Sequence, residues 1–356
     1  MPIPKTMQGV QLIGHGGPEK LVWNDAIPTP HPGPDQALVR VSAAGVNNTD
    51  INTRIGWYSR DITESTEDVS PDADVDAGGW SGALSFPRIQ GADLCGEVVA
   101  IGERVENLVI GMRVICPTNQ PNPTADAPTG VRVLGSEYDG AFAQYCVVPA
   151  AQLYDVSTAP LSDVELAALP CAHGTAFNLL SRADVGSHDR VLVTGASGGV
   201  GLAAVELAKL AGAHVTALAS AGKAGAVKAA GADIVLDRND TPEPGSFTVA
   251  IDVVGGDRWP GVIDALEAGG RYAVSGAIAG PIVEADLRTI YLNDLTLFGC
   301  TYTSREVFAE LVAKIAAGQV NPLVSNTYPL ADIHIAQTDF IAKKYPGKLV
   351  LIPPQD

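Results

Sequence analysis

The sequence is short of patterned cysteine and of positive charge. Its five cysteines, Cys95, Cys116, Cys146, Cys171 and Cys300, are odd in number, widely spaced and never arranged as CxxC. That spacing argues against a disulfide framework or a four-cysteine zinc lobe and casts most of them as small buried hydrophobes. Lys and Arg number 23 against 40 Asp and Glu, a formal net charge of -17. Neutralising a phosphate backbone needs clustered cations, so neither nucleic acid nor an anionic membrane surface is an expected partner. No uninterrupted apolar run approaches the roughly 18 residues that a membrane span needs. The opening MPIPKTMQGV lacks the basic start and apolar stretch of a signal peptide. The expected location is cytoplasmic.

What is present fits a globular α/β protein. The 356 residues are 46% hydrophobic and 18% charged, with 38 glycines, enough for about two domains with a core each. The amino-terminal part is β-rich: ALVRVSAAGV (37–46), GEVVAIG (96–102), RVICP (113–117) and FAQYCVVP (142–149) are short, rich in Val and bounded by turn residues. Two loops interrupt it. Asp61, Glu64, Glu67, Asp68, Asp72, Asp74 and Asp76 form an acidic insert with no Lys or Arg from 61 to 76, and such a stretch must be solvated. The loop from Pro117 to Gly130 carries Pro117, Pro121, Pro123 and Pro128, which speak against regular structure.

After about residue 155 strands and helices alternate. Strand candidates are RVLVTG (190–195), HVTALAS (214–220), DIVLD (233–237), TVAIDVVG (248–255), GRYAVSG (270–276) and LTLFG (295–299), with helices such as LAAVELAKLAG (202–212) and WPGVIDALEAGG (259–270) between them. This order predicts a doubly wound parallel sheet. The expected domains are 155–303 for that sheet, and 1–154 with 304–356 for the β-rich part, the chain returning through KLVLIPP.

The strongest motif is VLVTGASGGVG, Val191 to Gly201, in which a buried strand runs through glycines into an Ala-rich helix. Backbone N–H groups there, on Ser197, Gly198, Gly199 and Val200, suit a pyrophosphate, and Gly201 suits close helix–strand packing. Ala196 stands at the first position of the usual three-glycine pattern. At the end of the second strand Leu218, Ala219 and Ser220 are neutral, where a site preferring NAD usually has an acidic residue for the ribose diol. Ser220, Lys223 and Arg238 would instead receive a 2′-phosphate, so NADPH is the expected cofactor. A surface role for Lys223 remains open.

In order along the chain, GVNNTD (45–50), GADLCGEVVAIG (91–102), GAFAQY (140–145), LPCAHGTAF (169–177), ASGGVG (196–201) and GK (347–348) resemble the medium-chain dehydrogenase/reductase superfamily, and more closely its zinc-less quinone oxidoreductase branch. The resemblance implies a GroES-like catalytic domain and a Rossmann domain with an active-site cleft between them. Zinc relatives carry ligands where this sequence has Asn47, Ala92 and Cys171, so no metal is expected: one thiol cannot replace three protein ligands. The resemblance places Asn47, Asn48, Thr49 and Asp50 at the cleft floor, with Asn47 and Thr49 as donors to a developing oxyanion and Tyr58 as a further proton donor or aromatic platform. Asn, Thr and Asp equally suit a turn and helix cap, and for Asn48 and Asp50 both roles stay open. Thr175 matches a nicotinamide contact, and His173 reads as structural. Gly255, Gly276 and Ala277 follow strands whose ends face the ligand crevice, and Lys348 matches a position that approaches the cofactor. The expected activity is zinc-independent, NADPH-dependent hydride transfer to a quinone or activated C=C bond. The alternatives are a zinc-independent carbonyl or alcohol dehydrogenase and a non-catalytic NADPH-binding protein. The family commonly forms dimers, so a homodimer is expected.

Overall fold

The computed structural model describes residues 3–66, 68, 78–80 and 82–355. Glu67, Asp72, Asp74 and Asp76 of the acidic insert lie outside the described residues. The chain divides into two compact units, the described residues of Met1–Ile62, Val69–Cys171 and Ser304–Asp356 forming one, and Thr63–Asp68 with Ala172–Thr303 the other.

In the first unit the strand Gln36–Gly45 organises the main sheet. Its neighbours are Cys95–Ile101 on one side, Lys348–Ile352 on the other, and Tyr145–Pro149 along its first half. The carboxy-terminal strand is held antiparallel through Val350 opposite Gly45 and Leu351 opposite Ala44. The sheet wraps a core that includes Leu38, Val41, Leu94, Val98, Phe142 and Leu351, each contributing about 1.5–3 kcal/mol on burial. Helix α1 (Asn48–Ile55) follows the central strand directly and ends at Gly56, whose φ of 74° is the left-handed C-cap conformation that glycine adopts without strain. The Pro-rich loop departs from expectation. Asn119–Pro121 pairs antiparallel with Val131–Val133, because Pro121 ends a two-stranded ribbon, a place where a missing N–H removes no interior ladder bond.

The second unit contains a six-stranded parallel sheet: β1 (Arg190–Val193), β2 (His214–Ala219), β3 (Ile234–Asp237), β4 (Phe247–Asp252), β5 (Leu266–Val274) and β6 (Thr296–Gly299). Their order is β3-β2-β1-β4-β5-β6, the doubly wound arrangement that reverses direction beside β1. Buried Val191, Leu192 and Val193 and buried Val249, Ala250 and Ile251 explain the near-continuous apolar runs, since helices cover both faces. The stretch predicted as one helix over 259–270 ends sooner: Trp259–Asp264 is helical, and β5 begins at Leu266. All five cysteines are free; Cys171 alone is part-exposed.

Candidate active site

The turn after the strand Gln36–Gly45 carries the first cluster. Asn47 is extended (φ -134°, ψ 158°) and caps α1, its backbone N–H donating to Asp50 Oδ2 at 2.8 Å. Asp50 Oδ1 accepts the Ala92 N–H at 3.0 Å, and Gln90 Nε2 donates to the Asp50 carbonyl at 2.9 Å. The motif around Ala92 is thereby fastened to the first turn of α1. Burial pushes the Asp50 carboxyl up to about 7, with the Asp93 charge adding to the rise, while the N–H groups of Asn47 and Ala92 and the Lys348 ammonium oppose it.

The raised Asp50 value gives a pH dependence. In the folded chain this group holds its proton more tightly than in the unfolded chain, where its usual value is 3.8. Its contribution to stability is therefore full below that value and is lost as pH rises through about 7. Urea unfolding of the parent and of Asp50→Asn should show the gap between them narrowing from acid to neutral pH. A constant gap contradicts this.

Beneath Asn47 lies a buried ion pair. Lys348 Nζ donates to Asp93 Oδ2 at 2.9 Å, to the Val46 carbonyl at 3.0 Å and to Asn47 Oδ1. Both Asn47 amide hydrogens are also engaged, to Asp93 Oδ2 at 2.9 Å and to the Gly45 carbonyl at 3.3 Å, and the Cys171 N–H donates to Asp93 Oδ1 at 2.6 Å. Two sequence-based expectations change here. Asn47 has spent both carboxamide donors inside the unit, so it positions its neighbours and has none left for a substrate oxygen. Lys348 is 3% exposed and all three of its N–H donors are committed within the unit, so it is an interior cation with no N–H left for a phosphate. Burial pushes the Cys171 thiol up to about 12, the Asp93 carboxylate adding to the rise, so it is neutral at pH 7.

Thr49, half-buried on the first turn of α1, is differently placed. Tyr58 Oη donates to Thr49 Oγ1 at 3.0 Å and Trp80 Nε1 donates to the same oxygen at 2.9 Å. A hydroxyl has two acceptor sites and one donor. With both acceptor sites filled, Thr49 is left to donate. Burial raises Tyr58 above its ordinary value, against the lowering effect of its hydrogen bonding with the Thr49 and Asn52 side chains, so the phenol stays protonated. Trp80 was not visible as a site residue from sequence. Its tie to Thr49 spans 31 positions and crosses the acidic insert.

The second unit supplies the nucleotide features. Helix α2 (Gly199–Leu210) starts after Gly198, and among the described residues no side chain caps it, which leaves its first N–H groups for an anion. A Cβ on Gly198 would have only the Gly195 carbonyl near it, at 3.6 Å, whereas one on Gly201 would stand 2.2 Å from that same oxygen. The first position is an open cradle and the second a contact only glycine allows. Ser197 and Val200 are half-buried beside them. Ala219 pairs with Asp237, and the Arg238 N–H donates to the Ala219 carbonyl at 3.0 Å, which brings Arg238 to the end of β2, where Ser220 precedes and Lys223 ends a short 3-10 turn. Gly255, Gly276 and Ala277 line a cavity of about 270 Å³ with Trp259 and Tyr272. Asp252 braces that end of the sheet, accepting from Thr194 Oγ1 at 2.5 Å and Tyr272 Oη at 2.7 Å. Thr175 is half-buried. His173 is buried, its Nε2 meeting Glu206 Oε2 at 2.9 Å. An uncapped helix start, an open glycine and a neutral β2 end fit a dinucleotide phosphate.

Comparison with known proteins gives two family matches: residues 33–158 to the alcohol dehydrogenase GroES-like domain and residues 199–317 to the zinc-binding dehydrogenase family. A crystal structure from Sinorhizobium meliloti 1021, of a protein provisionally described as an alcohol dehydrogenase, is similar at 40% identity over 99% of this chain and 98% of that one, with a TM-score of 0.88. An NAD-dependent alcohol dehydrogenase of Sulfurisphaera tokodaii is 27% identical over 98% of this chain and 100% of its own length. A chloroplastic quinone-oxidoreductase homolog of Spinacia oleracea is 33% identical over 68% of this chain and 64% of its own.

The second family description implies zinc, and the residues present do not fit it. Among the described residues no group of three His, Cys, Asp or Glu side chains could hold a metal ion. At the positions in question stand Asn47, Ala92 and a neutral Cys171, and the ammonium of Lys348 already holds the nearby oxygens of Asn47 and Asp93. A divalent cation would have to displace a buried monovalent one and find ligands that are missing. With a GroES-like unit, a doubly wound nucleotide unit and a full-length relative at 40% identity, the chain belongs to the medium-chain dehydrogenase/reductase superfamily and is an oxidoreductase that uses a nicotinamide cofactor.

Proposed function

We propose that the protein is an NADPH-dependent reductase that works without zinc on a quinone or an activated C=C bond such as an enone. The observation that carries reduction without zinc is the Thr49 hydroxyl, which accepts from both Tyr58 and Trp80 and so has only its hydrogen to offer. When bound, the nicotinamide supplies the hydride. The chain's own part is to stabilise the oxygen on which negative charge grows, and a donor fixed in advance does so with little reorganisation. Thr49 is that donor, and Tyr58 Oη is aligned to return a proton to Thr49 Oγ1. Asn47 holds α1 in register through Asp93 and Lys348 and does not touch the substrate.

Cofactor choice rests on Ser220, Lys223 and Arg238 around a β2 end with no acidic residue at 218–220. Ser197, Gly198, Gly199, Val200 and Gly201 would hold the pyrophosphate, and Thr175, Gly255, Gly276 and Ala277 the nicotinamide half. Lys223→Ala should cost about tenfold in NADPH-over-NADH preference, the scale of one charge-assisted hydrogen bond at a part-exposed site. An unchanged ratio of kcat/KM values would remove Lys223 from the 2′-phosphate site.

A homodimer in the cytoplasm completes the reading. The outer edge of β6 is open among the described residues, and Leu297 on it is exposed, as are Leu287, Tyr291 and Leu292 of the helix that precedes it in the chain, apolar surface that a second copy would cover. Relatives described as alcohol dehydrogenases favour reduction of a carbonyl to an alcohol as the second reading, and Thr49 would serve it equally. The test is oxidation of NADPH with a quinone, an enone, an enoyl thioester and an aldehyde. Faster turnover of the aldehyde reverses the order of the two readings. NADPH binding without turnover on any of them favours a non-catalytic role.

A further inference from the structure

We infer that Trp80 is a positioning residue that aims the Thr49 hydroxyl at the substrate oxygen and forms, with Tyr58, an aromatic stack that a flat conjugated acceptor extends. The inference rests on the reductase reading above and deepens it.

An indole N–H can donate and cannot accept. The bond from Trp80 Nε1 to Thr49 Oγ1, at 2.9 Å, therefore has one possible polarity, unlike a bond between two hydroxyls. If Trp80 did not fill that lone pair, one of the two bonds that fix the rotation of the Thr49 hydroxyl would be missing, and its hydrogen could turn away from the substrate. With one acceptor site of Thr49 Oγ1 filled by Trp80 and the other by Tyr58, the chain from Tyr58 through Thr49 ends on a hydrogen. Bonds that point the same way along a chain strengthen one another.

Trp80 is held in place where the chain returns to the end of α1. A Cβ on Gly78 would stand 2.4 Å from His15 Cε1 and 2.6 Å from the Cα of Gly56, so the returning chain lies directly on the C-cap of α1. The Gly79 N–H then bonds the Gly82 carbonyl at 2.9 Å, closing a turn that carries Trp80. Its ring lies 4.5 Å from that of Tyr58 at 38°, and Trp57 packs edge-on against Tyr58 at 5.7 Å. Such a stack is extended by a planar acceptor such as a quinone or an aryl enone and not by a short aliphatic aldehyde.

The test is a double-mutant cycle on the full chain, with NADPH and both a naphthoquinone and a short aliphatic enal as acceptors. W80F keeps a ring and removes the N–H. It should lower kcat about tenfold with KM changed less than about twofold, the loss expected when an aligned donor is only partly disordered. Trp80→Leu should in addition raise KM for the naphthoquinone and not for the enal. In the Thr49→Val background W80F should have no further effect, and in the Thr49→Ser background its tenfold effect should return, because Trp80 acts through the hydroxyl. Unchanged NADPH affinity in all variants shows that they are folded. A parent that turns over quinone or enone, with W80F within twofold of it or with the W80F loss persisting beside Thr49→Val, overturns this proposal alone. A parent that turns over none of the acceptors overturns the reductase reading and the proposal with it.

Discussion

Replacing Lys348 with Met should destabilise the protein by about 3–5 kcal/mol, the usual cost of leaving one member of a buried ion pair without its partner. The Lys348 and Asp93 side chains are 4% and 0% exposed, so water cannot take over the lost bonds. Asp93 would keep only the N–H donors of Cys171 and Asn47, and Asn47 Oδ1 and the Val46 carbonyl would lose the ammonium. Because these contacts hold the strand Lys348–Ile352 against the turn that starts α1, the loss should be cooperative. Chemical unfolding followed by circular dichroism would measure it. Adding Asp93→Asn to Lys348→Met should recover part of the stability, since the worst species is the lone buried carboxylate. A loss below about 1 kcal/mol for Lys348→Met would mean that the pair is effectively solvated, and would undo the argument that an interior ammonium occupies the region a metal would need.

Thr49→Val should lower kcat by about 10²–10³-fold, the effect of deleting one aligned donor to a developing oxyanion, and leave NADPH affinity within about twofold, because every phosphate-facing residue proposed here belongs to the other unit. Thr49→Ser should retain most of the rate. Valine has nearly the shape of threonine, and Thr49 is only half-buried, so a folding defect should not obscure the result. Steady-state kinetics with one quinone and one enone would decide. A valine variant with parental kcat would remove the hydroxyl from the chemistry and leave Tyr58 as the donor to test next.

The nucleotide unit was largely legible in the sequence because its signals are local. Strand, glycines and helix follow one another without a break from Val191 to Gly201, and all six strand candidates correspond to strands of the parallel sheet. The β-rich unit was legible as strands and less so as chemistry. Asn47 reads in sequence as a free carboxamide; its donors are consumed only when Gly45, Asp93 and Lys348 meet, and the last of these lies 301 positions away. The same meeting turns Lys348 from a presumed cofactor contact into an interior cation. Trp80 carries no motif, and its relation to Thr49 depends on how the chain returns to the C-cap of α1 after the insert. Local propensity also misjudged Asn119–Pro121, where ribbon pairing overrode the proline signal, and residues 265–270, where β5 replaced the last turns of a predicted helix.

The most direct measurement of the central claim is turnover by metal-stripped protein. After exhaustive dialysis against a strong chelator, with elemental analysis showing less than about 0.1 zinc per chain, NADPH oxidation with a quinone or an enone should proceed at the undialysed rate, and added zinc should not raise it, since a catalytic zinc site needs three protein ligands. Activity that is lost as stoichiometric zinc is removed, and that returns when zinc is added back, would contradict the account.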